Sequence, residues 1–204
     1  MHHATVIVLA GGKSSRMGAD KRFMRMPDGR NLLTVAIEKA RKVSTRVILS
    51  VAPGDTVSYV RGVELVQDEA SALGPLSGLL SSLKRMKTRK AAVIPCDVPF
   101  LAVGLLSYLL RVSKGFDVAI PVWQQHQPLV GVYSKQVLPH LYQAITYGQL
   151  SIHMLLEDER LSVLRVRREE LEEFGEPRMM FLNINTRKDL LRARRLSRRV
   201  SWKY

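Results

Sequence analysis

Cysteine is almost missing from this chain: Cys96 is the only one in 204 residues. A lone cysteine excludes an internal disulfide and a thiolate metal cluster, and no basic, apolar leader is seen, so a reducing cytoplasm is the expected setting. Long apolar runs are missing as well. The longest stretch without a charge, Gln136 to Leu156, contains Pro139, Gly148, two His and three Gln, a composition that bars it from a lipid-exposed span. No membrane role is expected. Acidic residues are scarce: 18 Asp plus Glu stand against 32 Lys plus Arg, a net charge of +14. From Arg187 to Tyr204 there are eight Lys or Arg and one Asp, so half of the surplus lies at the end of the chain. A solvated helix face is the first reading of that surplus, steering of anionic substrates the second; nucleic-acid binding is disfavoured.

What is present is an average globular composition, 46% hydrophobic and 25% charged, in a length that suits one compact domain spanning 1–204. Thr5 to Ala10 reads TVIVLA, too short and too β-branched for a helix, and it runs straight into two glycines. It reads as a buried strand. Asn31 is placed to cap a helix through Val43, whose apolar residues recur at helical spacing. Further strands are expected at Arg46–Val51, Val63–Gln67, Ala91–Cys96, Val118–Val122, Leu129–Ser134 and Leu161–Val166. Further helices are expected at Pro75–Met86, Val103–Val112, Lys135–Ile145 and Thr186–Arg199. This alternation predicts an α/β fold with a mostly parallel sheet and helices on both faces, less regular after about residue 120.

The most informative stretch is LAGGKSSRMGADK, Leu9 to Lys21. Adjacent glycines Gly11 and Gly12 let a backbone turn tightly beside a ligand, and Lys13, Arg16 and Lys21 surround that turn with positive charge suited to phosphate oxygens. It fits neither the Walker A pattern nor the dinucleotide-binding glycine spacing. The strand Ala91–Cys96 leads into Asp97, Val98 and Pro99, which sets a carboxylate at the same sheet edge. One Asp facing a basic glycine loop suffices for Mg²⁺, which takes one or two carboxylates plus substrate phosphates. The competing reading is that Asp97 caps the next helix. Cys96 reads as a small core residue.

Taken together, LAGGKSSRMGADK, GPLSG at Gly74–Gly78, CDVPF, QPLVGVY at Gln127–Tyr133 and FLNINTRKDL at Phe181–Leu190 resemble the molybdenum cofactor guanylyltransferase family. The motifs stand in family order across nearly the whole chain. The resemblance implies a three-layer Rossmann-like nucleotidyltransferase fold, with a nucleotide-binding part over about 1–120 and an acceptor-binding part over about 121–204. It implies Mg²⁺-dependent transfer of GMP from GTP to the phosphate of molybdopterin, with or without its metal, and transient contacts with other proteins of cofactor biosynthesis. Carried over residue by residue, Leu9, Ala10, Gly11, Gly12, Asp68, Gly74 and Gly78 bind GTP, Arg16 and Lys21 bind its phosphates, and Asp97 holds the metal. Gln127, Pro128, Asn183 and Asn185 fall on the acceptor side, and Ser50 stands near a nucleotide contact. Where the family has proline after Asn-Thr this chain has Arg187, a departure that touches helix initiation rather than chemistry.

The chemistry needs no protein nucleophile, because the acceptor phosphate already carries charge and positioning with charge neutralisation supplies the acceleration. His126, His140 and His153 read as surface or packing residues. Trp123 reads first as a half-buried core residue and second as a stacking surface for the pterin. Three alternatives stay open: a cytidylyltransferase for the same cofactor, a guanylyltransferase for another phosphorylated acceptor, and a non-catalytic nucleotide- or nucleic-acid-binding protein.

Overall fold

The computed structural model describes residues 3–11, 20–57, 59–69 and 74–197. The strand β1, Thr5–Leu9, is buried along its whole length. Its alternate residues part to opposite faces: Val6 and Val8 join one core, Ile7 and Leu9 another. A strand buried on both faces needs partners on both edges and helices above and below, which is the situation of a parallel sheet.

The other strands are β2 Val47–Val51, β3 Glu64–Gln67, β4 Lys90–Pro95, β5 Val118–Trp123, β6 Gln125–His126, β7 Gly131–Ser134 and β8 Val163–Val166. They follow the order β3-β2-β1-β4-β7-β5, with β8 on the far edge of β5 and the two-residue β6 folded back on the end of β5. Six strands run the same way; β7 runs against β4 and β5, and β6 against β5. The helices α1 Leu32–Val43 and α3 Val103–Val112 cover one face, whereas α2 Pro75–Arg85 and α4 Leu138–Thr146 cover the other. The architecture is the expected three-layer α/β sandwich. No described helix is long and apolar enough to cross a membrane.

Local signals work as expected in the first half. Asn31 caps α1 by accepting from the Thr34 amide at 2.7 Å, and Pro75 opens α2 behind Gly74, whose φ of +56° suits glycine. After residue 120 the boundaries move. The strand expected at Leu129 begins at Gly131, because Leu129 and Val130 form a turn, and the strand expected at Leu161 begins at Val163. The helix expected over Lys135–Ile145 starts as one 3₁₀ turn, Lys135–Val137, before α4. Three short helices, α5 Ile152–Leu155, α6 Arg168–Glu172 and α7 Pro177–Met180, carry too few residues for a periodic signal. The last helix, α8, runs Arg187–Ser197. It starts without proline because Thr186 and Asp189 cap it reciprocally, Thr186 N donating to Asp189 Oδ2 at 2.9 Å and Asp189 N to Thr186 Oγ1 at 3.1 Å.

The turn before β7 is fixed from inside. Tyr133 is fully buried and its hydroxyl donates to the Pro128 carbonyl at 2.6 Å. Gly131 is needed here because a Cβ would stand 2.9 Å from the Ala119 carbonyl oxygen. Tyr133→Phe leaves that buried carbonyl without its donor and is expected to cost about 1–3 kcal/mol of stability, read as a shift in the urea unfolding midpoint.

Candidate active site

Strand order decides where a ligand can sit. β2 and β3 extend the sheet on one side of β1, and β4 lies on its other side, so the winding reverses between β1 and β4 and leaves a crevice beyond their carboxyl ends. Leu9 and Pro95 are register partners at that end, and the Cys96 amide donates to the Leu9 carbonyl at 3.1 Å. The segments that follow both strands therefore leave the sheet side by side.

Across this crevice Lys21 Nζ lies 2.8 Å from Asp97 Oδ2 and donates to Asn185 Oδ1 at 2.9 Å. Asp97 does not cap α3, whose cap is Ala102; its carbonyl instead accepts from the Ile184 amide at 2.8 Å, which ties the Asn183–Asn185 segment to the Asp97 turn. Ile184 is buried while Asn183 and Asn185 are exposed. Asn185 is held further by its amide donating to Asp189 Oδ2 at 3.2 Å, within the cap of α8.

Beside Lys21, Arg22 is buried. Its guanidinium donates to both oxygens of Asp20, to Asp55 Oδ2 at 2.6 Å and to the Ala10 carbonyl at 3.3 Å. These bonds, Asp20 first and Asp55 next, hold its pKa above the usual arginine value against the opposing effect of burial. Neither Arg22 nor Asp55 stands out in the sequence, because a buried ion pair between a loop and a distant turn leaves no periodic trace. They anchor the main chain from which the Lys21 side chain extends.

One cavity, of about 120 Å³, is lined by Leu9, Ala10, Gly11, Lys21, Ser50, Asp68, Gly78 and Asp97 among others. Asp68 is buried there and accepts from Ser50 Oγ at 2.6 Å. Burial raises its pKa above the ordinary carboxylate value, the Ser50 bond opposes this, and the nearby Asp55 adds to it. A Cβ on Gly11 would stand 2.6 Å from Asp68 Oδ2, and one on Gly78 would collide with Ser50 Oγ. A side chain at either position would therefore have to displace a member of the Ser50–Asp68 pair. Gly74 is exposed and does not line this cavity. Gly12 and Arg16 lie outside the described residues.

A second cavity, of about 210 Å³, is lined by Asp97, Val98, Gln127, Pro128, His153 and Asn183 among others. It shares Pro75, Pro95, Asp97 and Leu129 with the first, so Asp97 stands where the two meet. Asn183 borders this second space, and Asn185 faces Lys21 instead. His126 and His153 also line it, a placement the sequence reading passed over, while His140 pairs with Asp158 away from it at 2.8 Å. Trp123 packs partly buried against the core beneath the Arg168 guanidinium, 5.1 Å from the ring centre. Cys96 is buried, and burial pushes its thiol up to about 12, an inert core residue as expected.

Among the described residues no three His, Cys, Asp or Glu side chains converge as a metal cage. Asp97 offers one hard oxygen ligand, with the Lys21 ammonium already seated on it as a cation. Such a donor set fits a hydrated ion such as Mg²⁺ that draws its other ligands from phosphate and water, and it does not fit a structural zinc.

The anchor can be tested apart from the chemistry. Asp55→Ala removes one of the two carboxylates on buried Arg22 and is expected to destabilise the fold by about 2–4 kcal/mol, measured by chemical unfolding.

The family model of the MobA-like NTP transferase domain matches residues 6–163. The chain is 33% identical to a "Probable molybdenum cofactor guanylyltransferase" of Pelotomaculum thermopropionicum, with 95% of this chain and 93% of that protein covered. It is likewise 33% identical to a protein of the same description from Bacillus subtilis, with 93% of each covered. Among solved structures, the molybdopterin-guanine dinucleotide biosynthesis protein A of Archaeoglobus fulgidus superposes with a TM-score of 0.82 at 26% identity, covering 96% of this chain and all of that one. Fold and comparisons agree, and the chain belongs to the MobA-like NTP transferase family of nucleotidyltransferases.

Proposed function

We propose that this protein transfers GMP from GTP to the phosphate of molybdopterin, forming the guanine dinucleotide and pyrophosphate. The observation that carries the reading is the position of Asp97 at the junction of two cavities, with Lys21 2.8 Å away. An acceptor phosphate oxygen attacks the α-phosphorus, the bond to the β-phosphate oxygen breaks, and pyrophosphate leaves. The α-phosphorus must therefore lie between the two substrates, where Asp97 stands.

In this reading the main chain of Leu9, Ala10 and Gly11 flanks the nucleotide, and Asp68 with Ser50 closes the inner wall of its pocket. Lys21 moves onto the β- and γ-phosphates and spreads the charge of the leaving group, with Arg16 as its partner. Gln127, Pro128 and Asn183 wall the acceptor side, and Asn185 steers Lys21. The proposed nucleotide part over about 1–120 and acceptor part over about 121–204 meet at the four residues that line both cavities, Pro75, Pro95, Asp97 and Leu129, and Leu76 and Val98 of the first part also line the acceptor cavity. Asp97 would hold Mg²⁺, whose chemistry is to neutralise phosphate oxygens and polarise the reacting phosphorus.

Product analysis after incubating the purified protein with Mg²⁺, molybdopterin and each nucleoside triphosphate separately is expected to give a dinucleotide only with GTP. A product only with CTP, or none with any triphosphate, would overturn the reading. In the same assay Asp97→Ala is expected to abolish turnover. Lys21→Ala is expected to lose on the order of 2–4 kcal/mol of transition-state stabilisation, read from kcat/KM. Asn183→Ala is expected to raise KM for the acceptor more than for GTP.

A further inference from the structure

We propose that Lys21 is the resident counter-ion of Asp97, and that it withholds the carboxylate from divalent cations until a triphosphate arrives to take over the ammonium. The inference rests on the proposed function only in taking a metal-bound triphosphate as the ligand.

Geometry gives the first argument. Lys21 Nζ sits directly on Asp97 Oδ2 at 2.8 Å, with the two side chains only 25% and 16% exposed, so a cation approaching Asp97 meets a carboxylate that is already compensated. The second argument is coordination. Among the described residues no three acidic, cysteine or histidine side chains converge as a cation site, and the other described carboxylates of the crevice are engaged, Asp20 and Asp55 by Arg22 and Asp68 by Ser50, which leaves Asp97 as the described carboxylate on offer. One carboxylate binds a hydrated divalent ion weakly, and a competing ammonium weakens it further.

Mobility gives the third. The Lys21 main chain is fixed, since neighbouring Arg22 is locked to Asp20, Asp55 and the Ala10 carbonyl. Its four-carbon side chain is the part that can swing, and it lines the same cavity as Gly11, Asp68 and Gly78. Asn185 Oδ1, itself held through the cap of α8, offers a neutral second acceptor that keeps one hydrogen bond while the ammonium changes anions. A triphosphate does two things at once: its oxygens attract Lys21 away from Asp97, and they supply the further oxygen ligands that the described residues do not gather around Asp97. Free Asp97 and bound phosphate therefore appear together, and cation uptake becomes coupled to nucleotide.

The test is binding of Mn²⁺, a hard oxygen-seeking probe, to the full-length protein with no nucleotide or acceptor present, followed by electron paramagnetic resonance of the free ion. Lys21→Met is expected to bind Mn²⁺ about tenfold more tightly than the parent protein, and the double change Lys21→Met with Asp97→Asn to lose that gain. In the parent protein a non-hydrolysable GTP analogue is expected to tighten Mn²⁺ binding, and in Lys21→Met to tighten it much less. Equal or weaker Mn²⁺ binding by a folded Lys21→Met protein overturns the proposal, as does a gain that survives Asp97→Asn. Lys21→Gln, which keeps a polar head, serves as a second variant with the same expectation. Because the first titration uses no nucleotide and no molybdopterin, its failure beside normal guanylyl transfer by the parent protein sinks only the counter-ion role. A tightened site in a protein that makes no dinucleotide sinks only the assigned reaction.

Discussion

The Lys21–Asp97 ion pair joins residues 76 positions apart, and Lys21 also reaches Asn185, 164 positions away. A partly exposed pair of this kind contributes at most about 1 kcal/mol to stability, so its weight lies in placement rather than in holding the fold together. It can form only because β1 and β4 are adjacent and parallel, which brings both of their carboxyl ends to one crevice. Had the chain wound β4 beyond β3 instead, the same residues would stand at opposite ends of the sheet. The site thus depends on a single topological fact.

Among the described residues of the crevice, carboxylates outnumber cations, four to two. The described carboxylates Asp20, Asp55, Asp68 and Asp97 gather there with Lys21 and Arg22. Asp20 and Asp55 are occupied by Arg22, Asp68 by Ser50 and Asp97 by Lys21. The overall +14 therefore does not arise from this set of residues, and its largest concentration lies on α8 and the chain beyond it. A broad positive field of that kind favours the approach of multiply charged anions without contacting them.

Glycines read as marks of ligand approach turn out to have a second cause. Gly11 and Gly78 leave the space that the buried Asp68 carboxylate and its Ser50 partner occupy, and Gly131, which was not read as a ligand contact, packs on the backbone of β5. Gly74, at the start of α2, owes its identity to a positive φ instead, as Gly29, Gly54, Gly62, Gly115, Gly148 and Gly175 do elsewhere.

Local order was legible wherever a segment was long enough to show its period. β1, α1, β2, α2, β4 and α3 could be placed to within a residue or so from alternation, helical spacing and cap residues, because those signals act between neighbours in the chain. Lys21 and Asp97 could be singled out for the same reason: each follows a strand that is evident by itself. The short helices and the hairpin after residue 120 were not legible, since four or five residues carry no period and their boundaries are set by what packs on them. Arg22 and Asp55, the Ser50–Asp68 bond and the grip of Asn185 on Lys21 were decided by tertiary structure alone. Each joins segments that are not neighbours in the chain, and the parallel pairing of β2 with β3 and of β1 with β2 and β4 brings those segments within hydrogen-bonding distance.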